Sequence, residues 1–80
     1  SVYPNPATTE ANVRVELVEN SDVTMQIINS VGAIVYTINT SNLEAGAFYY
    51  NINTSDFAAG FYIVKTTVNG SVQTSKLSVK

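Results

Sequence analysis

Apolar residues recur at every second position through most of this chain, and a period of two is the signature of strands half buried against a core. Val13, Val15 and Leu17 alternate with Asn12, Arg14 and Glu16. After the turn-forming run Glu19-Asn20-Ser21-Asp22, the pattern resumes as Val23, Met25 and Ile27 against Thr24 and Gln26. Two such segments joined by a polar turn predict a hairpin. Asn29-Ser30-Val31-Gly32 marks the next turn, with Gly32 available for a positive φ, and Ile34, Tyr36 and Ile38 then alternate with Val35 and Thr37. Phe48, Tyr50 and Ile52 form a further strand.

The densest run of β-branched and aromatic residues is Gly60 to Val68, which reads as a central strand. Tyr62, Val64 and Val68 share one face, and Phe61 and Ile63 make the start of the other face apolar too, so this strand calls for neighbours on both sides and a second layer. Asn69-Gly70 is the strongest hairpin signal in the chain and suits a type I′ turn, so the last strand folds back antiparallel on the central one. Within that last strand Val72 lies on one phase and Leu77 and Val79 on the other. A bulge between Gln73 and Lys76 is the expected remedy.

Part of the chain repeats. Ile38-Asn39-Thr40-Ser41-Asn42-Leu43-Glu44-Ala45-Gly46 is matched by Ile52-Asn53-Thr54-Ser55-Asp56-Phe57-Ala58-Ala59-Gly60, each copy ending a strand, turning, placing one apolar plug (Leu43 or Phe57) and opening the next strand with Gly. Two copies are too few for a solenoid and read as two similar corners. Ser41-Asn42-Leu43-Glu44 also fits a helix capping box, but Gly46 limits it to a single turn at most. At the start, Val2 and Tyr3 suit a brief edge pairing, and Pro4 and Pro6 make a stiff extended lead-in. Six or seven short strands with no useful helical pattern predict an all-β fold, a small immunoglobulin-like antiparallel β-sandwich. A small Greek-key barrel and an incomplete sandwich remain as alternatives.

Composition then removes most chemistry. Eighty residues make one small domain with a single core, residues 1–80, that looks like a piece of a larger protein. Without Cys or His there are no disulfides, no Cys/His zinc site and no His-based acid–base catalysis. Net charge is −2, and the four basic residues Arg14, Lys65, Lys76 and Lys80 are too scattered to track phosphates, which argues against nucleic acid. No apolar run approaches the ~20 residues needed to span a bilayer, so membrane insertion is not expected, and there is no signal-peptide pattern at the start. No cofactor is implied. Lys76 and Ser78 share a strand face, but an exposed strand offers neither an oxyanion hole nor a lowered Lys pKa, so an enzyme is not expected. Glu19, Asn20 and Asp22 are oxygen-bearing but too sparse for a calcium loop and read as a plain turn.

The ends of the chain carry the most specific signal. Tyr3-Pro4-Asn5-Pro6-Ala7, Asn29-x-x-Gly32, Gly60-Phe61-Tyr62 and the terminal Lys76-Leu77-Ser78-Val79-Lys80 occur in order over essentially the whole length. Together they resemble the type A C-terminal sorting domain of the Bacteroidetes type IX secretion system. The resemblance implies a cargo polypeptide upstream, an immunoglobulin-like sandwich folded in the periplasm, and recognition by the outer-membrane translocon and its shuttle protein. It further implies removal by a sortase-like cysteine peptidase upstream of Ser1 or in the linker just before it, with the cargo delivered to the cell surface or the medium. By the same carry-over Pro4, Asn5 and Pro6 match the entry motif, Gly60 and Tyr62 the Gly-x-Tyr motif, and Lys76 to Lys80 the terminal signal. Ser75 stands where many members carry another Lys.

Each of these residues also has a role in a plain fold. Gly60 suits a chain turning into a strand, and Tyr62 suits a core aromatic with its hydroxyl at the rim. Gly32, Gly46, Asn69 and Gly70 serve turns. Lys76 and Lys80 are typical guards of an edge strand, or a terminal strand that a receptor reads by strand augmentation. The competing function is an adhesion or carbohydrate-binding module that stacks sugars on Tyr36, Tyr49 and Tyr50, with Tyr49 the best exposed.

Overall fold

A computed structural model of the chain describes residues 2, 3, 7 and 9–80. Among these, seven strands follow in order: β1 (Val2–Tyr3), β2 (Glu10–Leu17), β3 (Ser21–Ile28), β4 (Ile34–Leu43), β5 (Gly46–Asn53), β6 (Gly60–Val68) and β7 (Ser71–Val79). They form a three-stranded sheet, β1-β2-β5, and a four-stranded sheet, β4-β3-β6-β7, with every pairing between strands antiparallel. The order is that of an immunoglobulin-like sandwich in which the fourth strand stays beside the third. Pro4, Asn5 and Pro6 lie outside the described residues. Ala7, just beyond them, forms a parallel bridge with Val79. Tyr3 thus belongs to the small sheet and Ala7 to the edge of the large one.

The two-residue period places the core as expected. Val13, Val15 and Leu17 of β2, Val23, Met25 and Ile27 of β3, Ile52 of β5, Tyr62 and Val64 of β6, and Leu77 and Val79 of β7 are all buried between the sheets. Tyr36, Ile38, Leu43, Phe48, Tyr50, Phe57 and Val68 pack around them half buried. β6 is central, flanked by β3 and β7. The repeat also has a clear structural meaning: both copies carry the chain from one sheet to the other, first from β4 to β5 and then from β5 to β6. At the first corner β4 runs to Leu43 with no helical turn, and only Asn42 departs from the extended backbone, at φ +57°.

Three expectations change. β2 and β3 do not form a hairpin but lie in different sheets, because their apolar faces meet across the core rather than side by side. The turn between them is a corner pinned by side chains: Asn20 Oδ1 accepts from the Ala45 amide at 3.1 Å and Asp22 Oδ1 from the Asn42 amide at 3.0 Å. β7 has no bulge. Its register against β6 is continuous from Gly60↔Val79 to Val68↔Ser71, and Val72 stays outward beside Thr67, 53% exposed. The inward positions of its first half are polar instead, Ser71, Gln73 and Ser75. Finally, the second apolar face of β6 is not covered: Phe61 is 75% and Ile63 37% exposed.

Candidate functional site at one end of the sandwich

β3 and β6 pair antiparallel with Ile28 opposite Ile63, and β6 pairs with β7 so that Phe61 and Tyr62 face Ser78 and Leu77. These registers bring the Asn29–Gly32 turn, the Gly60-Phe61-Tyr62 segment and the Lys76–Lys80 terminus to the same end of the large sheet. Ala7, at the close of the entry motif, joins them there: its amide donates to the Ser78 carbonyl at 2.7 Å, and the Lys80 amide donates to the Ala7 carbonyl at 2.8 Å. Segments as far apart in sequence as Ala7 and Lys80 thus share one end of the fold.

The local chemistry of each segment is structural first. Asn29 closes its turn by accepting at Oδ1 from the amides of Val31 (3.1 Å) and Ala33 (2.9 Å), while the Gly32 amide donates to the Asn29 carbonyl at 3.0 Å. Gly60 opens β6 at φ +152°, a left-handed extended conformation that side chains resist. Two positions on, Tyr62 is buried in the core and its hydroxyl donates to the Ala58 carbonyl four residues back. This is the tyrosine corner of immunoglobulin-like domains, a hydrogen bond that ties the loop before the sixth strand to the strand itself. Its ring also packs on Phe57, the apolar plug of the second corner, with centroids 5.4 Å apart and planes tilted by 36°. Asn69 and Gly70 adopt φ +46° and +86°, as a type I′ turn requires, but they sit at the opposite end of β6. Gly46 likewise opens β5 away from this end.

At the terminus, Leu77 and Val79 point into the core and Lys76, Ser78 and Lys80 take the outward phase. The two lysines are about 13 Å apart along the strand. The last residues of β7 are not an open edge, however, because the Ala7 bridge already occupies the backbone of Ser78 and Lys80. Strand addition by a receptor would have to begin further back along β7.

What sets this end apart is its outward face. Phe61 and Ile63 of β6 lie there beside Ile28 of β3, which pairs in turn with Ile34, itself 55% exposed. Val31, in the Asn29–Gly32 turn, is 85% exposed. Lys76 pairs directly with Ile63, so the apolar strip is bordered by a cation. The sequence reading had no signal for this patch beyond the apolar start of the odd face of β6, since only the sheet order brings Ile28 and Ile34 next to Ile63.

The three-tyrosine stacking surface does not form. Tyr49 is 61% exposed, but Tyr36 and Tyr50 are turned inward on opposite sheets, and the Tyr50 hydroxyl donates to Thr40 Oγ1 at 3.1 Å. Tyr49 also stands opposite Arg14, whose guanidinium donates to Glu16 at 3.2 Å. The Arg14 pKa is raised by hydrogen bonding to Glu16 first and to Tyr49 next. Among the described residues no cluster of carboxylates is arranged to hold a metal ion.

The family model of the secretion system C-terminal sorting domain matches residues 1–80. The chain belongs to the type IX secretion C-terminal sorting domain family. A comparison with curated proteins found no match. As a sorting domain it is a signal for export to the cell surface or the medium, in a family of signals rather than enzymes. Three of its motif segments, together with Ala7 of the first, are what the fold gathers at one end of the large sheet.

Proposed function

We propose that this end is the surface the type IX machinery reads, with Gly60 and Tyr62 shaping it and Phe61, Ile63, Lys76 and Lys80 contacting the outer-membrane translocon or its shuttle protein. In this reading the folded domain travels through the periplasm attached to its upstream cargo. A sortase-like cysteine peptidase then cuts on the cargo side of the sandwich, upstream of Ser1. The observation that carries the proposal is the convergence of segments far apart in sequence on one end whose outward face is apolar, rimmed by Lys76 and exposed. A patch of that kind on a small soluble domain marks an interaction site.

The test is a periplasm-targeted fluorescent reporter carrying residues 1–80 in a type IX-competent bacterium. Removing Lys76 to Lys80 is a poor variant, because it also deletes buried Leu77 and Val79 and the partners of Ala7. Point changes on the outward face separate reading from folding: Phe61→Ser with Ile63→Thr, and Lys76→Gln with Lys80→Gln. The parent is expected outside the cells with the domain removed, and the variants retained in the periplasm with unchanged thermal unfolding. Export of both variants at the parent level would refute this surface. Retention of the parent fusion itself, in a folded state, would refute the sorting mechanism for this chain.

A further inference from the structure

The small sheet is incomplete along one edge. β1 offers only Val2 and Tyr3, opposite Val13 and Asn12, whereas β2 runs on to Leu17 and is paired over its whole length with β5 on the other side. Among the described residues, no strand lies along β2 from Val15 to Leu17 on the β1 side. Facing that gap is the first half of β7. A cleft of about 660 Å³ opens there, lined by Val15, Leu17, Ser21, Val64, Gln73 and Ser75 among others. Ser71, Gln73 and Ser75 share the inward phase of Leu77 and Val79, yet Ser71 and Gln73 are exposed and Ser75 is only half buried. An inward-facing sheet surface that is polar and open to water marks the place of a missing strand, and an unpaired strand edge beside it is a template for one.

We propose that this cleft is the seat of the polypeptide that precedes Ser1, which runs antiparallel along β2 in the register of β1 and completes the small sheet. The inference rests on the family assignment, since a C-terminal sorting domain follows the polypeptide it exports. Direction and register are already set. β1 runs antiparallel to β2 with Val2 opposite Val13 and Tyr3 opposite Asn12, so the chain before Val2 heads toward Leu17. By that register the three residues that precede Ser1 oppose Val15, Glu16 and Leu17, a run of about 7 Å at ~3.4 Å per residue.

The lining says what kind of segment fits. Val2 is half buried against the core, so the second and fourth residues before it take the same inward phase, above Val15 and Leu17 and toward Ser71, Gln73 and Ser75. Val15 and Leu17 are already 6% and 4% exposed and leave no deep apolar pocket to fill. The seat therefore takes a strand held by backbone hydrogen bonds, with small or hydroxyl-bearing inward side chains rather than large apolar anchors. Val18, 96% exposed, marks where β2 leaves the sheet and the seat ends. A peptidase that binds its substrate as a lone extended chain then reaches the linker only beyond the fourth residue upstream of Val2.

The experiment uses the full-length precursor and amide hydrogen exchange, which does not depend on export and so fails independently of the sorting reading. The parent is compared with a variant in which the four residues before Val2 are Gly-Pro-Gly-Pro, whose prolines cannot donate to a ladder. A second variant, Gln73→Trp, fills the cleft from an exposed position and leaves the linker sequence intact. In the parent, the amides of alternate residues between Arg14 and Leu17 are expected to exchange at least about tenfold more slowly than in either variant, with the core strands β3 and β6 unchanged. Equal exchange in parent and variants overturns the proposal. Protection that appears only as protein concentration rises also overturns it and gives the seat to a second copy of the chain.

Discussion

Replacing Tyr62 by Phe separates the two roles that the Gly-x-Tyr segment can have. The ring stays, buried and packed on Phe57, and only the hydrogen bond from the hydroxyl to the Ala58 carbonyl is lost. Ala58 is exposed, so its carbonyl is free to turn to water and no buried acceptor is orphaned. The expected loss is therefore that of one ordinary hydrogen bond, about 1 kcal/mol. For a domain of this size that lowers the midpoint of thermal unfolding by roughly 4–8 °C. Tyr62→Ala removes the ring as well and costs about 3–5 kcal/mol by the usual scale for buried aromatics. Set against a total of about 4–12 kcal/mol for a chain of 80 residues, that is enough to leave the domain marginal. Thermal unfolding by far-ultraviolet circular dichroism, run alongside the reporter export assay, reads both effects. An unfolding midpoint for Tyr62→Phe within 1–2 °C of the parent, a shift worth well under 1 kcal/mol, would refute the corner bond as a stabilising contact. A variant as stable as the parent but no longer exported would show that the hydroxyl is read by the machinery rather than used by the fold.

Other perturbations test neighbouring parts of the argument. Thr54 is fully buried and its Oγ1 makes no hydrogen bond within the described residues, so Thr54→Val is expected to stabilise by about 1 kcal/mol in urea unfolding, and a loss of stability would mean that a bound water satisfies the hydroxyl. Gly60→Ala meets open space but must hold φ +152°, so it is expected to lower stability by about 1–3 kcal/mol, read as a lower denaturant midpoint with an unchanged slope; a neutral result would mean that the backbone there relaxes freely. Asn69 holds a positive φ and links the β6–β7 turn to β3, accepting from the Asp22 amide at 3.1 Å and donating to Ser21 Oγ at 3.2 Å. Asn69→Ala is expected to cost about 1–3 kcal/mol and Asn69→Gly distinctly less, because Gly keeps the turn and loses only the hydrogen bonds; equal losses would show that the conformation contributes nothing.

Much of this protein was legible from the period of two. Val13, Val15, Leu17, Val23, Met25, Ile27, Ile52, Val64 and Leu77 are buried as their phase requires, since alternation follows from strand geometry and needs no knowledge of the partner strand. Asn69-Gly70 was equally local, a turn decided by two residues that tolerate positive φ. The four motif segments, too, could be recognised in order along the chain, and the family model spans the same residues. Pairing was not local. Alternation gives a strand an inner face but not a neighbour, so β2 and β3, adjacent in sequence, were read as a hairpin although they face each other across the core. The polar start of β7 was read as a bulge for the same reason: its inward serines oppose an unfilled stretch of the small sheet, and nothing in residues 71–75 reveals what lies across the core. Local chemistry thus determined which segments are strands, which side of each is buried and where the tight turns fall. Tertiary structure alone decided that Ala7, Gly32, Tyr62 and Lys76 meet at one end, that Phe61, Ile63, Ile28 and Ile34 form an exposed apolar strip, and that among the described residues β2 has no strand beside Val15 to Leu17 on one side, because each depends on strand order and register, which long-range packing sets.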